Sequence, residues 1–272
     1  MYHISRIILA GIFFLSLSFP AESQIKKTGT TLDIITNKGT ITVLLYDETP
    51  GHRDNFLQLV KENFYNNMLY HRVINDFLIQ IGDPRSRRTT GTEETYYTPE
   101  KQTIPAEIIP DAIHRRGVLN AARMGETVNP YLESSSTHFT IIQGRIQTDS
   151  TLNRAEQRKE DYYRAHLQAM YTVELTKANS ELSKEEHQDK LQAQVAEKIA
   201  VKMAEIGSSL KISEAHCAVY KTVGGAPHLD GTYTVFGEVL EGMDVVDAIA
   251  ATPVERERPI EEIYIIRMQV RE

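Results

Sequence analysis

Beyond residue 30 the chain falls into short apolar runs separated by turn residues, and this spacing limits the fold more than any other feature. Residues 31–48, TLDIITNKGTITVLLYDE, read as a β-hairpin. Ile41, Val43 and Leu45 alternate with Thr40, Thr42 and Leu44, and Asn37-Lys38-Gly39 supplies the turn. LYHRVI (69–74), FLIQIG (77–82), GVLNAA (117–122) and HFTIIQG (138–144) follow, with turn-rich stretches such as GDPRSRRTTGTEET (82–95) between them. TYTVFGEVL (232–240) and IYIIRMQV (263–270) complete the series; in the last, Ile266, Met268 and Val270 alternate with Arg267 and Gln269. Many short strands at close spacing predict a sandwich or a closed barrel. Thr49-Pro50 opens a helix with Phe56, Leu57, Val60 and Phe64 as its apolar stripe, and a shorter helix spans Met243 to Ala250.

Residues 146–214 break the pattern. They contain no proline and one glycine, and are rich in Ala, Glu, Gln, Lys and Leu. Tyr163, Leu167 and Met170 recur at helical spacing, as do Leu191, Val195, Ile199, Met203 and Ile206. Ser183 with Glu186 forms a capping box, and Gly207 suits a C-terminal stop. The segment is expected to be an α-helical hairpin inserted into the β domain, with its apolar stripes packed on each other and the barrel able to fold without it. The sharper alternative is an arm for a partner or for self-association.

The first residues read as an address. Arg6 precedes an uncharged, mostly apolar run from Ile7 to Phe19, too short for the roughly 20 residues a membrane helix needs. Small residues follow, so residues 1–21 are expected to be a signal peptide cleaved after Ala21, leaving an exported protein, periplasmic or extracellular. The alternative is an uncleaved anchor, the one case in which the chain would touch a membrane. The net charge of −7 argues against a nucleic-acid partner. The single cysteine, Cys217, excludes an internal disulfide framework and reads as packing.

The run LYHRVINDFLIQIGDP (69–84) carries the most chemistry: it sets Arg72 among apolar strand residues, with Phe77, Leu78 and Gln80 close behind. A cation against such walls is costly unless it has something to bind; the plainer reading is a rim arginine covering a strand edge. Arg85, Arg87 and Arg88 read as a solvated loop, His71 as packing, and His216-Cys217 has no spacing that points to a metal or a nucleophile.

This run resembles the cyclophilin family of peptidyl-prolyl cis-trans isomerases, where the stretch reads approximately FHRVIPGFMIQGGD against YHRVINDFLIQIGD here. GVLNAARMG (117–125) is similar to the family's GxLxMAxAG, SSSTHFTIIQG (134–144) to SSGSQFFIVQG, and PHLDGTYTVFGEVLEGMDVVDAIA (227–250) to xWLDGxHVVFGxVxxGMxVVxxI. The blocks keep the family order and place the barrel in residues 30–145 and 215–272, with 146–214 as the insertion. The resemblance implies a mainly β fold: an eight-stranded antiparallel closed barrel capped by helices, with the active groove on its outside. No metal or cofactor is expected.

Carried over by residue, the resemblance makes Arg72 the catalytic arginine. Phe77, Leu78 and Leu229 become the proline pocket, Gln80 a contact to peptide backbone, and Ala122 and Arg123 the groove floor. His138 stands where the family has Gln, Thr140 where it has a second pocket Phe, His228 where it has Trp, and Tyr233 where it has His. These positions are expected to line the groove. The substrates implied are proline-containing peptides and folding exported proteins. Two alternatives are a non-catalytic proline-peptide-binding chaperone of the same fold, and a lipocalin-like carrier, which the four blocks disfavour.

Overall fold

The computed structural model describes residues 28–88, 99, 101–178 and 184–271; the predicted signal peptide and Ser183 of the predicted capping box lie outside them. The elements in chain order are β1 (Gly29–Thr36), β2 (Gly39–Tyr46), α1 (Pro50–Lys61), β3 (Arg72–Ile74), β4 (Leu78–Ile81), β5 (Thr103–Ile104), β6 (Val118–Ala121), β7 (Ser134–Ser135), β8 (Phe139–Ile142), α2 (Asp149–Ala178), α3 (Lys184–Ile206), α4 (Glu214–Thr222), β9 (Val235–Glu241), α5 (Met243–Ala250), β10 (Val254–Glu255), β11 (Arg258–Pro259) and β12 (Ile265–Val270). Eight of the strands form one antiparallel sheet in the order β12-β1-β2-β9-β6-β8-β4-β3.

The sheet curls, but the expected complete closure is corrected to a half-barrel. Its margins β3 and β12 do not pair along their length; the residues before β3 meet the entry to β12 instead, with Tyr70 N donating to Ile263 O (2.9 Å) and Ile265 N to Met68 O (3.0 Å). Three residues of β3 are too few to make a full ladder against the six of β12.

Alternation holds in β2, where Ile41, Val43 and Leu45 are fully buried, and fails in β12. There Ile265 and Met268 are buried while Ile266 and Val270 lie 44% and 48% exposed. The register against β1 jumps from Ile35–Arg267 to Thr36–Ile265, so a bulge leaves Ile266 unpaired and turns it outward.

The inner face packs Leu32, Ile34, Val73, Ile79, Ile81, Leu119 and Ile141 against Phe56, Leu59 and Val60 of α1 and Val246 and Ile249 of α5. Phe56 stacks edge-on against Phe139 at 5.1 Å. Each such side chain stabilises the fold by about 1.5–3 kcal/mol.

Pro50 opens α1 as expected, but Thr49 does not cap it through its side chain. Glu107 does: its carboxylate accepts from Gly51 N (3.0 Å), His52 N (2.9 Å) and the His52 ring Nδ1 (2.6 Å). An anion suits the positive end of a helix. Burial raises the pKa of the Glu107 carboxyl, but the bonds from His52 and the α1 amides more than offset it and leave it below the ordinary 4.5. Burial pushes His52 below its ordinary 6.5, against the pull of Glu107. Both depressed groups favour the fold at higher pH. The His52 contribution fades as pH falls below 6.5 and the Glu107 contribution below 4.5. Thermal melts are expected to show Tm falling from pH 6.5 to 3.5; a Tm that stays level across that range would refute this role.

The insertion is the predicted hairpin of two helices. Leu167 of α2 and Val195 and Met203 of α3 are buried, as the stripes require. Its base, however, is built into the flank of the barrel: Leu152 and Ala155 pack with Ile113, Ile212 and Tyr220. A cut at residue 150 would therefore strip apolar contacts from the β domain. The sequence pattern also misses α4, whose N-cap Ser213 accepts from His216 N (3.2 Å) and which carries the partly buried Cys217.

Candidate active site

The β3–β4 hairpin turns through Asp76 in the left-handed region (φ 61°), where Asp76 N donates to Gln143 Oε1 at 2.7 Å. Pleating then sends Val73, Ile79 and Ile81 inward and leaves Arg72, Leu78 and Gln80 on the outer face. Registers align Arg72 with Gln80, Gln80 with Thr140, and Thr140 with Asn120. A row of polar side chains thus crosses four strands of the sheet, from Arg72 at its open end to the buried Thr140 and Asn120.

Arg72 ends this row with its side chain 39% exposed. Its Nη1 donates to Gln80 Oε1 (3.3 Å) and its Nε to Glu257 Oε2 (2.6 Å), while Nη2 has no partner among the described residues. Glu257 comes from the turn between β10 and β11, where Arg256 and Glu257 both have positive φ (49° and 66°). Left-handed conformations are unfavourable for such residues. The Glu257 carbonyl also accepts from Val73 N (2.6 Å), so one residue grips both the backbone of β3 and the guanidinium beside it.

Next to the row lies an apolar cluster on the outer face: Leu78, Val118, Ile142, Ala226, Leu229 and Val235, with Phe77 and Tyr233 packed against it. The Phe77 ring meets His228 at 5.3 Å. Phe77, Leu78, His228, Leu229 and Tyr233 therefore gather from two distant stretches of sequence. Burial, with the Arg158 charge adding to it, pushes His228 down to about 4, so it is neutral at pH 7. Burial likewise lowers His71 to about 4 and depresses His138, whose ring lies 5.5 Å from that of His71. Of the groups gathered around the cluster, Arg72 carries permanent charge on an open surface.

The remaining predicted positions are placed differently. Thr140 is 3% exposed and gives its hydroxyl to Asn120 Oδ1, so it sits beneath the surface instead of walling it. Ala122 uses both backbone groups, donating to His138 O (3.0 Å) and accepting from Ser135 N (2.7 Å). His138 is held by Ser135 and Thr137, whose hydroxyls lie 3.1 and 3.0 Å from Nδ1. Arg123 has a side chain only 1% exposed. It donates to Thr232 O (2.7 Å), Met124 O (2.9 Å) and Glu126 Oε1 (2.6 Å), and lies 4.2 Å over the Tyr233 ring. Its guanidinium braces Tyr233 and does not open onto the groove.

Behind Leu229, Asp230 accepts from His114 N (2.8 Å), the His114 ring (3.0 Å) and the Tyr220 hydroxyl (2.8 Å). That buried carboxylate pins the turn carrying His228 and Leu229 to α4 and to the loop before β6.

The family described as cyclophilin type peptidyl-prolyl cis-trans isomerase/CLD matches residues 31–270. The chain belongs to that family of isomerases. It is similar to a Staphylococcus saprophyticus protein named for peptidyl-prolyl cis-trans isomerase activity, with 28% identity over 86% of this chain and 88% of that one. A solved cyclophilin of Cryptosporidium parvum superposes with a TM-score of 0.52 at 18% identity, covering 90% of this chain and 99% of its own. The same cyclophilin, crystallised in the presence of the dipeptide Ala-Pro, gives 0.51 at 19% identity, covering 89% and 99%. At that identity the match speaks for the fold. Glu257 lies outside the four motif blocks; Asn120 and Asp230 lie inside them, at positions to which the sequence reading gave no role.

Proposed function

We propose that this cyclophilin turns over X–Pro bonds on its outer face, with Arg72 as the catalytic residue, and that its clients are proline-containing segments of exported proteins. The carrying observation is a guanidinium fixed at Nε and Nη1, with no partner for Nη2 among the described residues, close to the apolar cluster of Leu78 and Leu229. The export reading is supported by the composition of residues 1–21, and the peptide reading by the Ala-Pro dipeptide used with the structural neighbour.

Amide resonance sets a rotational barrier of roughly 18–20 kcal/mol. No covalent bond need change; the enzyme must favour the twisted state over both planar ones. In the twisted state the prolyl nitrogen is pyramidal and its lone pair localised, so it accepts a hydrogen bond. Arg72 Nη2 supplies the donor without any pKa tuning. Phe77, Leu78 and Leu229 hold the ring, and Gln80 holds the flanking backbone, so rotation becomes internal motion of an anchored peptide.

Glu257 acts as a positioning residue by restricting guanidinium rotation. Glu257→Gln is expected to lower kcat about twofold to fivefold, the range of an exposed ion pair, with KM and Tm unchanged. An unchanged kcat would make the contact a mere clip for the β10–β11 hairpin.

Thr140, buried where the family has a Phe, favours one second reading: a groove that binds proline segments without turnover. A protease-coupled assay on an Ala-Pro tetrapeptide separates them. Exchange well above the uncatalysed rate supports the enzyme; saturable binding with background exchange supports the binder.

A further inference from the structure

A concavity lies between the barrel and the inserted helices. It has a volume of about 450 Å³ and is lined by Ile108 and Ile113 of the β domain, Tyr163 of α2, and Leu210 and Ile212 of the segment leading into α4. Lys159 of α2 also lines it and is only 9% exposed. Among the described residues its ammonium has no hydrogen-bond partner and no carboxylate within ion-pair distance; Asp230 and Glu156 act on it only at longer range. Both acids are engaged elsewhere. Asp230 holds His114 and Tyr220, and Glu156 accepts from Lys211 Nζ (2.9 Å) and Ile212 N (2.9 Å). The nitrogen is not sealed from solvent, but holding most of the side chain between apolar walls with no partner for its charge still costs free energy. An apolar side chain of similar length would fit the same wall at lower cost, so the lysine's presence calls for an anion.

We propose that this cavity binds a carboxylate carried on a short apolar body, with Lys159 as its anchor. Asp111 and Asp230 on the lining disfavour a dianion such as phosphate, while the Ile, Leu and Tyr walls suit a hydrocarbon or peptide body. The carboxylate can come from a free apolar acid or from a peptide C-terminus. Burial pushes the Lys159 pKa down, partly countered by Asp230, which is the direction expected of an ammonium waiting for a counter-charge.

Calorimetric titration of the full chain with octanoate, with N-acetyl-Leu-Leu, and with its C-terminal amide tests this. At least one of the two acids is expected to saturate at millimolar concentration or below, corresponding to about −4 kcal/mol. The amide is expected to bind at least about tenfold more weakly than the peptide acid where that acid binds. Octanoate alone points to a free acid, the peptide acid alone to a peptide C-terminus. Lys159→Met is expected to abolish acid binding and, without any probe, to melt at a higher Tm, because it removes an uncompensated charge. Saturation by neither acid, equal binding of peptide acid and amide, undiminished acid binding by Lys159→Met, or a lower Tm for that variant would each overturn the proposal.

Discussion

Arg72→Ala is expected to lower kcat/KM on a proline tetrapeptide by about 10²–10³, the usual effect of deleting one preorganised donor to a transition state, with little change in Tm. The side chain is 39% exposed and contributes no buried apolar contact, so its removal leaves the core intact. Its partners Gln80 and Glu257 remain solvated at the rim. Arg72→Lys is expected to recover little: a lysine restores charge but has a single ammonium in place of a fork that bonds Glu257, Gln80 and substrate at once. Steady-state kinetics with circular dichroism melts on the three proteins check this. Loss of activity in step with loss of fold would assign Arg72 to structure.

Asp230→Ala is expected to cost about 3–5 kcal/mol of stability, as for a buried charged group stripped from its partners, and to lower Tm by on the order of 10 °C for a chain of this size. The carboxylate is 7% exposed, and His114 and Tyr220, which donate to it, are fully buried. Without it the Tyr220 hydroxyl and two His114 N–H groups lose their acceptor. Leu229 is its immediate neighbour, so KM for proline peptides is expected to rise as well. Asp230→Asn keeps one acceptor oxygen and is expected to lose less. Scanning calorimetry settles the size of the effect; a Tm within about 2 °C of wild type, under roughly 1 kcal/mol, would remove Asp230 from this role.

Local pattern carries much of this molecule and stops where partners are far apart in sequence. The β1–β2 hairpin and α5 follow from alternation and helical spacing, because one strand face and one helix stripe had to meet the same core. The β12 bulge does not, since a one-residue slip in register leaves no mark on the apolar count. The motif blocks single out Phe77, Leu78 and Leu229 together, and the structure packs them in one apolar cluster. Glu257 is not: it reaches Arg72 across 185 residues of chain, from a turn whose Arg-Glu tip lacks the glycine or asparagine that signals positive φ. Glu107 caps α1 from 55 residues away for the same reason. Arg123 shows the converse. A cation at a groove-floor position reads as a substrate contact, but Tyr233 and Glu126 engage it inside the fold.

The claim that Arg72 acts on the twisted peptide bond, and not on binding, is tested most directly by exchange NMR on an Ala-Pro peptide with wild type and Arg72→Ala at matched saturation. The account predicts that both proteins bind the peptide with similar affinity and that cis–trans exchange peaks appear only with wild type. Equal exchange in both, or loss of binding alone as the cause of lost exchange, would contradict it.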